Sequence, residues 1–249
     1  MGRRLAEASP LFRDALARVC ALLEPHVGQP LAPLMAGVHG AEALNQTGHT
    51  QPALFAFQVA LVEWWRSMGV EPALVAGHSV GEFAAAWAAG VLSLDDAAAL
   101  VARRGALMQA LPAGGGMAAV MAPEDEVRRR LAAFGAAGTL AVAGVNAPTE
   151  TVVAGELDAL ARFRQACSAD GLRVEPLAVS HAFHSPLMAA AADGLADAAQ
   201  RSTRHAPRIA VVSSLSGAAA DARWGTPEHW RAQLLAPVRW LDAARTVAA

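Results

Sequence analysis

Residues 73–82 read ALVAGHSVGE. The apolar opening, ALVAGHS at 73–79, is too short for a helix and ends by glycine and serine, which predicts a buried strand of the parallel kind. FAAAWAAG then runs as a helix to Gly90. A strand, then Gly-x-Ser-x-Gly, then a helix is the nucleophile-elbow arrangement. Glycines on both sides relieve crowding, so the serine sits on a strained turn with its hydroxyl exposed. The stretch sets two expectations: an α/β fold with a parallel sheet, and a nucleophile at Ser79. A chance Gly-x-Ser-x-Gly match is the bland alternative.

Working outward, Ser9-Pro10 followed by LFRDALARVCALLEP predicts a capped helix ended by Pro25. Residues 26–50 read as loop-rich. From Gln51, the spacing of Leu54, Phe57, Leu61, Trp64 and Met68 predicts an amphipathic helix closed by Gly69. Ser93-Leu94-Asp95-Asp96 is a capping box for a helix to about Leu111. Between Met117 and Ser180 the texture becomes β-α-β-β-α-β, the order of the ferredoxin-like unit, with LPAGGG before it and HAFHSP after it as hinges. A helix from Pro186, a strand IAVVSS at 209–214 and helices near 227–235 and 238–248 follow. The expected architecture is therefore a large α/β-hydrolase-like domain with a parallel sheet and nucleophile elbow, discontinuous over 1–115 and 184–249. A small ferredoxin-like (βαββαβ) subdomain is inserted at 116–183.

Composition narrows the function classes. The 249 residues are 54% hydrophobic, enough for a substantial core, and a net charge of −2 argues against nucleic acid or an anionic membrane as partner. Cys20 and Cys167 lie far apart with no metal-ligand spacing around them, so neither a disulfide framework nor a metal site is expected, and a cytoplasmic location is. No apolar run approaches the roughly 20 residues that span a bilayer.

A serine nucleophile needs a base within hydrogen-bond reach. Of the eight histidines, His26, His39 and His49 read as loop residues, and His205 and His229 as surface residues in charged surroundings. His78 should point to the face opposite its neighbour Ser79. In SHAFHSP, His184 directly precedes Ser185-Pro186, a helix-start signature, so the dipole should disfavour its imidazolium and keep it a neutral base. The alternative is that His184 only caps or packs. On the helix from Asp95, Arg104 falls within the apolar stripe of Ala97, Val101, Met108 and Leu111, whereas Arg103 lies about 100 degrees round. A buried guanidinium needs an anion: either an internal Asp or Glu, or the carboxylate of a substrate.

GHSVGE at 77–82, RRGALMQALPAGGGMAAV at 103–120, VNAPTETVVAG at 145–155, HAFHSPLM at 181–188, LLAPVRW at 234–240 and TQPALFAFQVAL at 50–61 together resemble the acyltransferase domain of modular polyketide synthases and the related malonyl-CoA:acyl-carrier-protein transacylases. The resemblance implies that Ser79 is acylated by an acyl-CoA, that His184 is its base, and that Arg104 binds the free carboxylate of a malonyl-type unit. No bound cofactor is implied. Malonyl-CoA is the substrate, and the acceptor is the phosphopantetheine thiol of an acyl carrier protein, with a neighbouring ketosynthase and other synthase domains in the parent chain. By motif position, the backbone carbonyl of Gln233 orients the histidine and Gln51 lines the pocket. HAFH and the valine after the serine resemble the malonyl type: Phe183 would crowd an α-methyl branch. Such one-carbon discrimination is worth only about 1 to 3 kcal/mol. His181 belongs to the fingerprint without an assigned chemistry.

The backbone N–H of Val80 can supply one oxyanion donor. The family's second donor comes from a Gly-Gln-Gly loop that precedes the segment matched by Met1, and its closing strand follows the segment matched by Ala249. The chain thus resembles a domain trimmed at both ends, expected to be weakly active. The weighed alternatives are an α/β-hydrolase-type esterase or thioesterase, and an inactive structural piece of a synthase. Arg128, Arg129 and Arg130, or Arg201, Arg204 and Arg208, could meet the carrier but read better as solvated helix faces.

Overall fold

The computed structural model describes residues 1–38, 41–135 and 138–249; His39, read above as a loop histidine, lies outside them. The first half is helical: α1 (Arg3–Ala8), α2 (Pro10–Val27), α3 (Leu31–Ala36), α4 (Ala41–Asn45) and α5 (Thr47–Ser67), then β1 (Leu74–Ala76), α6 (Gly81–Ala88) and α7 (Leu94–Gln109). The capping signals act as read. Ser9 accepts from Phe12 N–H at 3.3 Å, with Pro10 in the first turn, and Ser93 accepts from Asp96 N–H at 3.0 Å.

Two readings of this half are corrected. Pro25 does not end α2. It sits in the last turn, where it gives up one i→i−4 hydrogen bond without breaking the helix, which stops at Gly28, at φ 79° and donating to Glu24 O at 2.8 Å. Residues 26–50 are not simply loop: α3 forms because Leu31, Leu34 and Met35 bury against the core, and α5 starts at Thr47 rather than Gln51. That early start is a tertiary effect. Gly48 and Gly105 face each other where α5 crosses α7, and a Cβ on Gly105 would meet Thr47 O at 3.2 Å and Gly48 Cα at 3.3 Å. This close crossing seats Gln51 beside Arg104.

β1 pairs in parallel with β6 (Ala210–Val212), in the register Leu74↔Ala210 to Ala76↔Val212. Contrary to expectation β1 is only half-buried. Its sheet has two strands among the described residues, and one side of Leu74–Ala76 faces a groove lined by Leu61, Val62 and Trp240.

The second sheet holds β2 (Gly115–Val120), β3 (Leu140–Ala147), β4 (Glu150–Glu156) and β5 (Val174–Pro176), all antiparallel in the order β3-β4-β2-β5. α8 (Glu124–Ala133) and α9 (Leu157–Ala169) pack on it over Val120, Val127, Val153 and Phe163. The main core is a separate cluster that includes Phe55, Phe83, Trp230 and Leu195. It is completed by a 3₁₀ turn at Pro186–Met188 that leads into α10 (Ala189–Ala199), and by α11 (Pro227–Leu235); α12 (Trp240–Ala248) follows. The two parts are tied by Val145 N–H to Val238 O at 2.9 Å, by Val238 N–H to Ala143 O at 3.0 Å, and by Arg239 to Glu124 at 2.6 Å. No helix among the described residues is long and apolar enough to cross a membrane.

Candidate active site

Ser79 occupies the turn between β1 and α6 at φ 52°, in the left-handed region that residues with a Cβ seldom enter. The turn is tight enough to dictate its neighbour: a Cβ on Gly77 would lie 2.3 Å from Glu82 N and from Gly81 C. The other flanking glycine is not sterically required, since the nearest atom to a Cβ on Gly81 is Gln58 Nε2 at 3.6 Å. Val80 is the N-cap of α6, and its own N–H has no acceptor among the described residues. It is a free donor on the residue that follows the serine.

His184 approaches from the segment before the 3₁₀ turn, also with positive φ, 57°. Its Nδ1 lies 2.9 Å from Gln233 O and 3.2 Å from Ala236 O. Two carbonyls there require Nδ1 to carry the proton, so Nε2 is the free lone pair. Ser79 Oγ donates to it at 2.7 Å. Burial first, and the Arg104 charge second, lower the His184 pKa to about 3, while the two carbonyls pull the other way. Burial and the Arg104 charge thus hold the imidazole in its neutral form. Ser185 does cap the 3₁₀ turn, accepting from Leu187 N–H at 3.3 Å.

Of the two candidate arginines, Arg104 is the inward one, 2% exposed, and Arg103 is exposed. Arg104 donates from Nη1 to Gln51 Oε1 at 2.5 Å and from Nη2 to Ser79 Oγ at 3.1 Å, and Gln51 is in turn held by Thr47 Oγ1 at 2.8 Å. Among the described residues no carboxylate lies within ion-pair distance of Arg104, and its buried Nε has no partner. Burial lowers its pKa to about 10 against the opposing pull of Glu82. A buried guanidinium that touches the nucleophile and keeps donors uncommitted is a receptor for an anion.

The sequence reading missed the group behind the serine. Glu82 is 0% exposed and accepts from Ser214 N–H at 2.7 Å, His229 Nε2 at 3.0 Å, Gln233 Nε2 at 3.1 Å, and Ser213 Oγ and Trp224 Nε1 at 3.4 Å. Burial pushes its carboxyl up, but these donors, His229 foremost, outweigh that and hold it below the usual range. His229, read as a surface residue, is buried at 6% because its partner, 147 positions earlier in the chain, draws it inward. The available signal was Glu82 itself, a lone carboxylate followed by FAAAWAA on a helix with no other polar residue.

The remaining candidates sit around this centre. His181, 5% exposed, bonds Ser180 Oγ at 2.8 Å and Leu111 O at 3.2 Å, and stacks on Phe183 with centroids 6.1 Å apart. Phe183 packs against both the main core and the second sheet's Met117 cluster. His78 points away, to Asn146 Oδ1 at 3.1 Å and Trp240. His26 lies in the last turn of α2, exposed, and His49 in the first turn of α5 with Nδ1 on Ala43 O at 2.8 Å, so neither is a loop residue. Arg128, Arg129 and Arg130 pair with Glu124, Glu126 and Asp170, which neutralises that helix face, and Arg204 binds the carbonyls of Trp224 and Ala222. Among the described residues no group of three or more His, Cys, Asp or Glu side chains is placed to hold a metal.

Comparison with known proteins gives a consistent picture. The family described as "Acyl transferase domain" matches residues 1–249. The chain is 46% identical over 248 residues to the polyketide synthase GfsA of Streptomyces halstedii, covering 98% of this chain and 3% of that synthase. It superposes with TM-score 0.91 at 44% identity on the acyltransferase domain from the second module of the salinomycin polyketide synthase, covering 100% of this chain and 57% of that one. The malonyl-CoA:acyl carrier protein transacylase of Xanthomonas oryzae is 37% identical with TM-score 0.88, covering 98% of this chain and 78% of that one. The chain spans between 3% and 15% of the length of eight curated synthases it matches.

Proposed function

Because the chain belongs to the acyl transferase domain family, we propose that it carries a malonyl group from malonyl-CoA, through an ester on Ser79, to the phosphopantetheine thiol of an acyl carrier protein. The observation that carries this reading is Arg104: a buried guanidinium with no internal carboxylate, bonded to the nucleophile itself at 3.1 Å. An esterase acting on neutral acyl groups has no use for such a charge.

Ser79 Oγ attacks the thioester carbonyl as its proton passes to His184 Nε2. The new oxyanion is met by Val80 N–H, and the imidazolium by the carbonyls of Gln233 and Ala236. The C–S bond breaks and His184 returns the proton to the leaving CoA thiolate. In the second half the carrier's thiol gives its proton to His184 and attacks the ester, and Ser79 Oγ regains the proton as it leaves. Arg104, steadied by Gln51, holds the substrate carboxylate throughout. Phe183 restricts room beside the α-carbon and so favours malonyl over branched units.

Further parts of the proposal rest on composition and packing. The division into a large domain over 1–115 and 184–249 and a ferredoxin-like subdomain over 116–183 is supported by the separate hydrophobic clusters. A carrier protein and a neighbouring ketosynthase in the parent chain as partners, and a cytoplasmic setting, complete the proposal, and the kinship with polyketide synthases supports it. Intact-protein mass spectrometry tests the core claim. Malonyl-CoA should leave a malonyl adduct that disappears in Ser79→Ala and weakens in Arg104→Ala, with acetyl- and methylmalonyl-CoA less effective. No adduct on the folded chain, or one that persists in Ser79→Ala, refutes it.

A further inference from the structure

The side chain of Gln233 has no place in the chemistry above, which uses only its backbone carbonyl. Yet its Nε2 lies 2.7 Å from Ser79 O and 3.1 Å from Glu82 Oε2. Both neighbours are acceptors, so the amide must present its NH₂ to them; this fixes which way the amide faces. One NH₂ hydrogen then holds the carbonyl of the strained residue Ser79, and the other is held by the carboxylate. The same residue's carbonyl receives His184 Nδ1–H at 2.9 Å. Gln233 thus touches both members of the dyad, the serine through its side chain and the histidine through its backbone.

Glu82 is what prevents this side chain from turning. It is fully buried and fixed from behind by His229 Nε2, Ser214 N–H and Trp224 Nε1, on segments far from it in the chain. A charge-assisted bond to a carboxylate held by four other donors is stronger and more rigid than one to a neutral acceptor. The opposite amide atom, Gln233 Oε1, is buried without a partner. The residue accepts that cost while both hydrogens of its NH₂ stay engaged.

We infer that the side chain of Gln233 is a positioning group that holds Ser79 in register with the histidine its backbone carbonyl orients, and that the buried Glu82–His229 pair locks it in that role. The inference rests on the reading of Ser79 and His184 as nucleophile and base, so the test uses two assays that fail separately. One is the rate of Ser79 acylation by malonyl-CoA. The other is the rate of sulfonylation by phenylmethanesulfonyl fluoride, in which a Ser79 O–S bond forms, fluoride leaves and His184 takes the proton. That probe needs neither CoA nor a carboxylate.

Gln233→Met keeps the backbone carbonyl and most of the volume while removing the amide. Misalignment on the ångström scale costs a reaction about 100-fold. Gln233→Met should therefore slow both reactions about 10- to 100-fold, in folded protein counted by its melting transition, with half-saturation by malonyl-CoA unchanged within threefold. Glu82→Gln should slow sulfonylation by a smaller factor. A purely structural role would lower the melting temperature and leave the reactivity of the folded molecules unchanged. That result, in whichever of the two variants folds, overturns the inference. If the wild type is sulfonylated but never malonylated, the malonyl reading falls and the sulfonylation rates still decide the role of Gln233.

Discussion

Replacing Arg104 by methionine keeps much of the side chain's bulk and removes its charge. A guanidinium has five N–H donors; here one serves Gln51 and one Ser79, leaving three, of which the buried Nε has no partner at all. A substrate carboxylate that takes two of these gains charge-assisted bonds of about 1.5 kcal/mol or more each, and at 2% exposure water screens them little. The loss for malonyl-CoA is then about 3 kcal/mol, or about 150-fold in kcat/KM. Acetyl-CoA offers no carboxylate and loses none of this. Removing the positive charge also lifts part of the load that depresses His184, so acetyl transfer should hold steady or rise. The assay is quenched-flow acylation of Ser79 with each thioester, with the fraction folded measured by thermal melting. A parallel fall for both thioesters, or a malonyl loss below about tenfold, would refute the argument that this guanidinium is a carboxylate receptor.

The turn at Ser79 predicts opposite outcomes for its two glycines. Gly77→Ala must displace backbone 2.3 Å away and should cost about 1 to 3 kcal/mol or more, seen as a melting temperature several degrees lower, whereas Gly81→Ala should melt like the parent. With the His184 pKa near 3, acylation should show no inflection near 6.5 and stay flat from about pH 5 to 8. An inflection near 6.5 would mean that the base is another group or a more exposed one. The sign for stability follows: His184 is depressed when folded, so the unfolded chain binds the extra proton between about pH 6.5 and 3. Its contribution is intact above about pH 6.5 and is lost as pH falls, which denaturant titrations from pH 7 to 4 can read, most clearly beside His184→Gln. Phe183→Ser should raise the methylmalonyl-to-malonyl rate ratio by about 10-fold, within the 1 to 3 kcal/mol a single carbon is worth. An unchanged ratio would remove Phe183 from selectivity.

What could be read in advance was whatever lay on a local pattern. The elbow announced itself as strand, glycine, serine and helix within ten residues. Arg104 was legible because a charge inside an apolar stripe must be turned inward, and His184 because it abuts a helix-start signal. Glu82 and His229 were not legible as a pair: each looks ordinary at its own position, and only the fold brings together residues 147 apart. The short α3 and the early start of α5 escaped for a related reason. Neither has a stripe long enough to declare itself, and the Gly48–Gly105 contact that fixes the start of α5 lies between helices rather than along one.

The backbone at Ser79 and at His184 has a consequence for how such chains age. Both residues hold positive φ, and among the described residues they are the only ones other than glycine that do. A side chain there costs on the order of 1 to 2 kcal/mol that glycine would not incur. The chemistry forbids glycine at these two sites while the fold would welcome it. A lineage released from the need to transfer acyl groups should therefore drift first at these positions, towards glycine or asparagine, and gain stability as it does. A relative carrying such residues at both, with its arginine and its remaining motif intact, would be a retired catalyst kept as scaffold.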